Sequence, residues 1–348
     1  SLPAITNQLK EISEATVHYL EAITSRLSSE EAWWGTTLTA QSQTAFEEIS
    51  AFTGFTQNDT IPTLRDLAVQ TQQTAIIDLI AKIEKLATVS GDMSEMDYDF
   101  LYEKNKRLLS IGYHVNERRL DTGYYDLLAS EARLGCFVGI AQGRLPQESW
   151  FALGRQLRIS GRKGILTSWS GSMFEYLMPL LVMPTYDKTL LDQTYKTAVM
   201  RQITYGAQRD VPWGVSESGY YAFDAALNYQ YRAFGVPGIG MKRDLADDLV
   251  IAPYASAMGL MVMPKESCSN LQRLSKEGFE GRYGLYEAID YTPPRLPRGK
   301  SHAMVQSYMA HHQGMSFLSL AYSLLNQPMQ KRFESEPMFQ STLLLLHE

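Results

Sequence analysis

Val-Pro-Trp-Gly-Val-Ser-Glu-Ser-Gly-Tyr-Tyr, residues 211–221, follows directly on residues 190–208, whose amphipathic spacing predicts a helix. Pro212, Gly214 and Gly219 punctuate the backbone, so the stretch reads as a loop meeting a helix rather than a helix interior. One carboxylate, Glu217, stands between two serines and beside Trp213, Tyr220 and Tyr221. Sugar-cleaving sites need a carboxylate of tuned pKa next to flat aromatic faces and hydroxyl partners. The plainer alternative is a first helical turn, capped by Ser216, with Glu217 facing the positive end of the helix dipole. The unit is therefore a helix followed by a loop rich in Gly, Trp and Tyr that carries an acid.

Toward the N-terminus the same unit recurs. Residues 166–179, Leu-Thr-Ser-Trp-Ser-Gly-Ser-Met-Phe-Glu-Tyr-Leu-Met-Pro, place Trp169 in a Ser/Gly loop and Glu175 in the first turn of a helix. Ser172 and Glu175 have capping-box spacing, which gives Glu175 a structural explanation. A further helix is predicted over 124–143, where Glu131 and Arg133 interrupt apolar and small residues. An acid in that setting is either paired, with Arg133 as the nearest base, or raised in pKa as a general acid requires. Residues 98–115 change period, with two apolar runs around Glu-Lys-Asn-Lys at 103–106, and predict a hairpin with His114 at its rim. Residues 1–90 read as three helices: one carrying Leu9, Ile12, Tyr19, Leu20, Ile23 and Leu27, one over 30–52, and one after Pro62. Trp33 and Trp34 are assigned to core packing there.

Toward the C-terminus, 234–240 form a glycine-rich turn, but Lys242 lacks the spacing of a phosphate loop. Helices are predicted over 250–262, 268–277, 303–325 and 329–346. Residues 281–291 gather Tyr286, Glu287 and Asp290 into a second aromatic and acidic cluster, either substrate lining or a tyrosine-rich surface loop. His311 and His312 are adjacent, so they point to different faces and do not make an i, i+4 zinc pair. At most one faces the site, and His311 is taken as the candidate sugar contact. No metal or other cofactor is expected.

Composition narrows the function classes. Charged residues make up 20%, hydrophobic residues 45%, and the net charge is −6, so nothing basic invites nucleic acid or anionic lipid. Twenty Tyr and five Trp supply many rigid faces with polar tips. Cys136 and Cys268 read as buried, reduced thiols. No signal peptide is visible, and no apolar run is long enough to cross a membrane. The first residue is not Met and the last residues keep a helical pattern, so the chain reads as a domain excised from a larger protein, one that includes membrane proteins among its possible parents.

The tally of paired helices joined by acid-bearing loops predicts an all-α toroid of helix hairpins with a cleft at one end, a simple bundle being the alternative. The assembled motifs resemble the glycoamylase-like cyclization domain of cyclic β-1,2-glucan synthases. The matching stretches are residues 124–134, 168–179, 212–218, 286–293 (Tyr-Glu-Ala-Ile-Asp-Tyr-Thr-Pro) and 308–316 (Tyr-Met-Ala-His-His-Gln-Gly-Met-Ser). The resemblance implies an (α/α)6 barrel over 91–348, with 1–90 as an N-terminal helical region packing on it. It implies a location on the cytoplasmic side of a bacterial inner membrane, within a larger synthase whose other domains are partners. It implies conversion of linear into cyclic β-1,2-glucan by retaining transglycosylation, with Glu131 as acid/base and Glu217 as nucleophile, the two roles being exchangeable.

Trp169, Trp213, Tyr220 and Tyr286 are the candidate sugar platforms, while Glu175, Glu287 and Asp290 are candidates for hydroxyl contacts or support of the acid. Two other readings are open. One is an inverting endo-β-1,2-glucanase, whose carboxyls stand roughly 6.5–9.5 Å apart against about 5–5.5 Å for retention; Glu131 facing Asp290 across the wider gap would favour it. The other is a non-catalytic module that holds glucan.

Overall fold

The structure, a computed structural model, describes residues 7–8, 10–11, 14–15, 17–19, 28–50, 63–160, 163–242 and 248–348. The chain divides into two compact units, Ser1–Met96 and Asp97–Glu348.

In the first unit the described helices are Ser29–Ser50, Leu64–Thr71 and Thr74–Ser94. The helix predicted after Pro62 is two helices, broken where Gln72 takes a left-handed φ of 50°. Thr63 starts the first of them with a reciprocal capping box to Asp66. Leu67 and Ile76 are buried. Trp33 and Trp34 lie edge to face at 4.6 Å and are more than half exposed, so they are not core residues as expected. Of the first predicted helix, Leu9, Ile12, Leu20, Ile23 and Leu27 lie outside the described residues.

The second unit is helix-rich with small antiparallel sheets. Its central helix, Leu190–Arg209, starts at Thr189, whose side chain accepts from the Asp192 N–H, and stops where Asp210 turns left-handed at φ 53°. Leu191, Tyr195, Ala198, Val199, Gln202 and Tyr205 recur three or four residues apart and are buried. The helix Pro264–Lys276 opens with proline at its first position, where the missing N–H leaves no intrahelical bond unmade. Phe137 is fully buried and contacts Trp150, Phe333 and Phe339 at ring separations of 5.1–6.4 Å, tying Ala132–Ala141 to the C-terminal turns. Phe137→Ala is expected to lower stability by about 3–5 kcal/mol, read from urea unfolding, because so tight a ring cluster cannot collapse into the cavity.

The predicted hairpin is present, Tyr102–Glu103 against Leu108–Leu109. Other short ladders were not anticipated. Ser218–Phe223 pairs with Tyr229–Arg232, and Ala288–Asp290 lies between Ala303–Val305 and Val250–Ile251. Four predicted helices are therefore shorter than expected, and the one expected from 250 begins at Pro253, after the strand Val250–Ile251, and ends in a 3-10 turn from Gly259. The one expected from 124 begins at Ala132, because Tyr125 and Leu128 donate their N–H groups to the carbonyls of Leu109 and Gly154. The one expected from 303 begins at Ala310, after a strand. The last is Pro328–Ser335, cut by Pro337 into 3-10 turns.

Candidate active site

Glu131 is the residue immediately before the helix Ala132–Ala141, not a position inside it. Ser130 shapes this entry: its hydroxyl donates to the Leu127 carbonyl at 3.0 Å and accepts the Ala132 N–H at 3.1 Å. Arg133 does not pair with Glu131. Its buried guanidinium donates to the carbonyls of Ser130, Glu175 and Tyr176 and to the Tyr195 hydroxyl, so it stitches three elements together. One carboxyl oxygen of Glu131, Oε2, is buried without a hydrogen-bond partner. Burial pushes the Glu131 pKa up; its own backbone N–H opposes this, the charge of Glu175 adds a smaller rise and Arg133 a still smaller opposing effect.

Glu217 is not in a helical turn. Residues 211–217 run irregularly into the strand Ser218–Phe223. Gly214, at φ 137°, lets this backbone pass the Ala252 carbonyl, where a Cβ would stand 2.9 Å from that oxygen. Gln202 bonds both polar groups of Val215, accepting its N–H at 2.8 Å and donating to its carbonyl at 2.7 Å. Ser216 caps a helix, but a neighbouring one: its hydroxyl accepts the Phe174 N–H at 3.0 Å and shares a 2.8 Å bond with Tyr254. Tyr254 also donates to the Glu217 carbonyl at 2.9 Å. Burial raises the Glu217 pKa to about 7, the charges of Glu131 and Glu175 add to the rise, and Lys242 opposes it. The two carboxyls thus lie within electrostatic reach of each other on a partly buried wall.

Glu175 has the predicted capping box and more. Its oxygens accept from the backbone of Ser170, Gly171 and Ser172 at 3.0–3.1 Å and from the hydroxyls of Ser168, Ser170 and Ser172. So saturated an anion holds the 168–172 loop and has little capacity left for a sugar hydroxyl. Trp169, on that loop, has its indole N–H bonded to Asp126 at 2.7 Å and its ring 38% exposed. Trp169, Asp126, Tyr124, Tyr125, Glu131 and Lys242 line a cleft of about 310 Å³. A second cavity of about 240 Å³, walled by Tyr102, Leu109 and Cys136, shares Glu131.

Several sequence candidates lie elsewhere. Trp213 is 6% exposed and serves the core: its N–H and carbonyl are bonded by Asn270, and its ring crowds Gly259. Tyr220 is half-buried between the guanidinium groups of Arg232 and Arg295, 5.5 and 5.0 Å from its ring centre. Tyr286 packs against Tyr308 and lines a different pocket, with Glu287 and His312. Glu287 is buried and bonded to His312, so it is not offered to a sugar. His311, the histidine chosen from sequence, is exposed, while His312 is the buried one. Cys136 is buried as expected, but Cys268 is exposed. His114 pairs with Asp121 at 3.3 Å.

Asp290 is fully buried and held by Arg295 at 2.7 Å and by the N–H groups of Tyr221 and Thr292. It does not face Glu131 across a gap. Arg295→Met is expected to cost about 3–5 kcal/mol in unfolding free energy, since it strands a buried charge. Denaturation of the variant against Asp290→Asn/Arg295→Met, which removes the charge as well, checks this.

Sequence reasoning missed Tyr231, Tyr254, Asp126 and Lys242, whose roles arise from contacts distant in sequence. Only the alternation of Tyr229 and Tyr231 carried a signal, that of a strand.

The profile of the glycoamylase family, described as putative glucoamylase, matches residues 123–337, more than half of the chain. The chain belongs to this family. Over 253 residues, 73% of this chain, it is 48% identical to the cyclic β-(1,2)-glucan synthase NdvB of Rhizobium meliloti, and it spans only 9% of that relative's length. The fold is similar to an endo-β-1,2-glucanase from Chitinophaga pinensis solved with sophorotriose and glucose (TM-score 0.57, 17% identity, 80% of this chain and 66% of that one). It is also similar to an endo-β-1,2-glucanase from Talaromyces funiculosus solved with sophorose (TM-score 0.54, 16% identity, 80% and 59%). The family drawn from the sequence motifs is thereby confirmed. No helix among the described residues is long and apolar enough to cross a membrane.

Proposed function

We propose that the chain is a glycoside-hydrolase-type enzyme that acts on β-1,2-glucan, and that it closes linear chains into cyclic ones by retaining transglycosylation. The observation that carries this reading is that Glu131, which lines an aromatic cleft, and Glu217 are electrostatic neighbours: both are raised in pKa by burial, and the charge of Glu131 pushes Glu217 further up. Kinship with a cyclic β-1,2-glucan synthase supports the substrate. We extend the same reading to an (α/α)6 toroid over 91–348. The larger parent is a synthase whose other domains hand glucan to this one on the cytoplasmic side of the inner membrane.

A pair of carboxyls in mutual repulsion holds one proton between them near neutrality. The orphaned Oε2 supports placing it on Glu131, since a buried oxygen without a donor stabilises no negative charge. Glu217 then carries the charge although burial and Glu131 raise its own pKa to about 7; of the charges around it, Lys242 favours the ionised form. Its carboxylate attacks the anomeric carbon as Glu131 protonates the departing glycosidic oxygen, leaving a glycosyl ester on Glu217 and an ionised Glu131. In the second half Glu131 takes the proton from a 2-hydroxyl of the same glucan, whose oxygen displaces Glu217. Tethering raises that hydroxyl's effective concentration over water. Asp290, bound to Arg295, is not free to serve as the base that inversion by a Glu131–Asp290 pair would need.

Incubating the chain with linear β-1,2-glucan and following products by mass and anomeric NMR tests the proposal. Cyclic or transferred products of retained β configuration are expected. Hydrolysis with release of the α-anomer would move the reading to an inverting glucanase, and binding without turnover would move it to a holding module.

A further inference from the structure

Building on the function proposed above, we infer that Trp169, its ring fixed by Asp126, is the platform on which the acceptor sugar rests, and that it sets how the glycosyl ester on Glu217 divides between transfer and hydrolysis. On the 168–172 loop Ser168, Ser170 and Ser172 are buried, while Trp169 among them is left 38% exposed. The main chain of the loop is held from two sides. The Trp169 carbonyl accepts the N–H groups of Met241 and Lys242 at 3.0 and 2.9 Å, and Glu175 accepts those of Ser170 and Gly171. The indole edge is fixed separately: its N–H, which can only donate, gives a 2.7 Å bond to Asp126 Oδ1. Asp126 is itself anchored, since its carbonyl accepts the Gly154 N–H at 2.6 Å. A ring left open to solvent, yet held at its edge and at its main chain, is a rigid flat surface that a sugar can cover at little cost in ordering.

The occupant of the cleft follows from the acid that borders it. Of the two acids, Glu131 is among the described residues that line the cleft and Glu217 is not. Glu131 protonates the departing oxygen, so the sugar that leaves with this oxygen stands on the Glu131 side of the scissile bond. The second half of the reaction retraces the first, and the entering hydroxyl takes the place that the departing oxygen has left. One surface therefore serves both sugars, and Trp169 and Asp126 lie on it with Glu131. At the ester two acceptors compete. In transfer, a glucan 2-hydroxyl oxygen bonds to the anomeric carbon, the bond to Glu217 breaks and Glu131 takes the hydroxyl proton. In hydrolysis, water supplies the oxygen and the proton. Water needs no platform, whereas a sugar stacked on Trp169 is held with its hydroxyl near the ester and shields it from solvent. Asp126 is a positioning residue, acting through the ring that it orients.

A ratio of products tests this. The chain is given linear β-1,2-glucan with rising amounts of a short β-1,2-linked oligosaccharide tagged at its reducing end. Tagged longer chains and cyclic products count transfer, and new reducing ends count hydrolysis. Trp169→Ala is expected to lower the ratio of transfer to hydrolysis about 10-fold, the worth of one stacked ring. Asp126→Ala is expected to lower it about 3- to 10-fold, through the lost bond to the indole. In a Trp169→Phe background, where no N–H remains to be held, Asp126→Ala is expected to change the ratio by less than about twofold. A merely structural loss would reduce the amount of folded enzyme and slow both outcomes together, leaving the ratio in place. An unchanged ratio in Trp169→Ala overturns the inference, and equal effects of Asp126→Ala in the two backgrounds overturn the part given to Asp126. A wild type that is inactive, or that only hydrolyses, overturns the proposed function instead. In that case calorimetric binding of the same oligosaccharide decides: a Kd raised about 10-fold in Trp169→Ala supports the platform, and an equal Kd overturns it.

Discussion

Glu217→Gln is expected to lower kcat on linear β-1,2-glucan by about 10⁴-fold or more, comparable with the loss on removing one member of a catalytic unit. The amide is nearly isosteric and the main chain around it is held by Tyr254, Gln202 and Glu287, so the fold should be retained and KM should change little. What disappears is the nucleophile. In Glu217→Ala, which does open space, added azide, small and anionic, can enter and attack the anomeric carbon directly while Glu131 protonates the leaving oxygen, giving a glycosyl azide of inverted, α configuration. A β-azide from this variant would exchange the assignments of the two acids. Retention of more than a tenth of the wild-type rate would remove Glu217 from the chemistry.

Glu131→Gln should lower turnover by about 10²- to 10⁴-fold, the usual worth of a positioned proton donor. The loss is set by the leaving group: an activated aryl glycoside, which departs without protonation, should form the glycosyl ester at close to the wild-type rate. Azide then accelerates the second half and yields a β-azide, the opposite stereochemistry to the first variant. The pH profile separates the acids a second time. In the wild type the alkaline limb marks loss of the last proton held by the pair, which the raised Glu217 pKa of about 7 places near neutrality. With a neutral amide at 131 that limb should vanish, while the acidic limb, set by ionisation of Glu217 beside an uncharged neighbour, should remain. An unchanged bell-shaped profile in Glu131→Gln would place the proton on some other group.

What could be seen in the sequence followed from how local each determinant is. The helix Leu190–Arg209 was legible because its periodicity, its Thr189 cap and its Asp210 stop all lie within the segment. The Ser172–Glu175 capping box was legible for the same reason. Strands of two to six residues have too few positions for an alternation to register, and their partners are distant in sequence. Ser218–Phe223 was therefore read as loop, and Glu131 was placed inside a helix whose first turns are in fact drawn out by Leu109 and Gly154. An isolated carboxylate among apolar and small residues demands an explanation, which is why Glu131 and Glu217 stand out in the sequence; in the structure burial raises the pKa of both. The aromatic platforms were less well sorted. Trp169 and Trp213 both stand within two residues of a glycine and three of a serine, yet one borders the cleft and the other fills the core. Only the position of Asn270 and Gly259, some fifty residues on, distinguishes them. Arg133 is similar: its partners at 175, 176 and 195 are unreadable from its neighbours.

The Ser216 hydroxyl belongs to the segment that ends in Glu217, yet it caps the helix that bears Glu175. One oxygen thus rivets together the two loops around the charge-bearing wall. Neither loop can be transplanted from a related enzyme by itself without leaving a frayed helix start in the other. Chimeras meant to alter product size should exchange residues 168–179 and 211–221 as a single cassette, and half-grafts should betray themselves by aggregation before any assay is run.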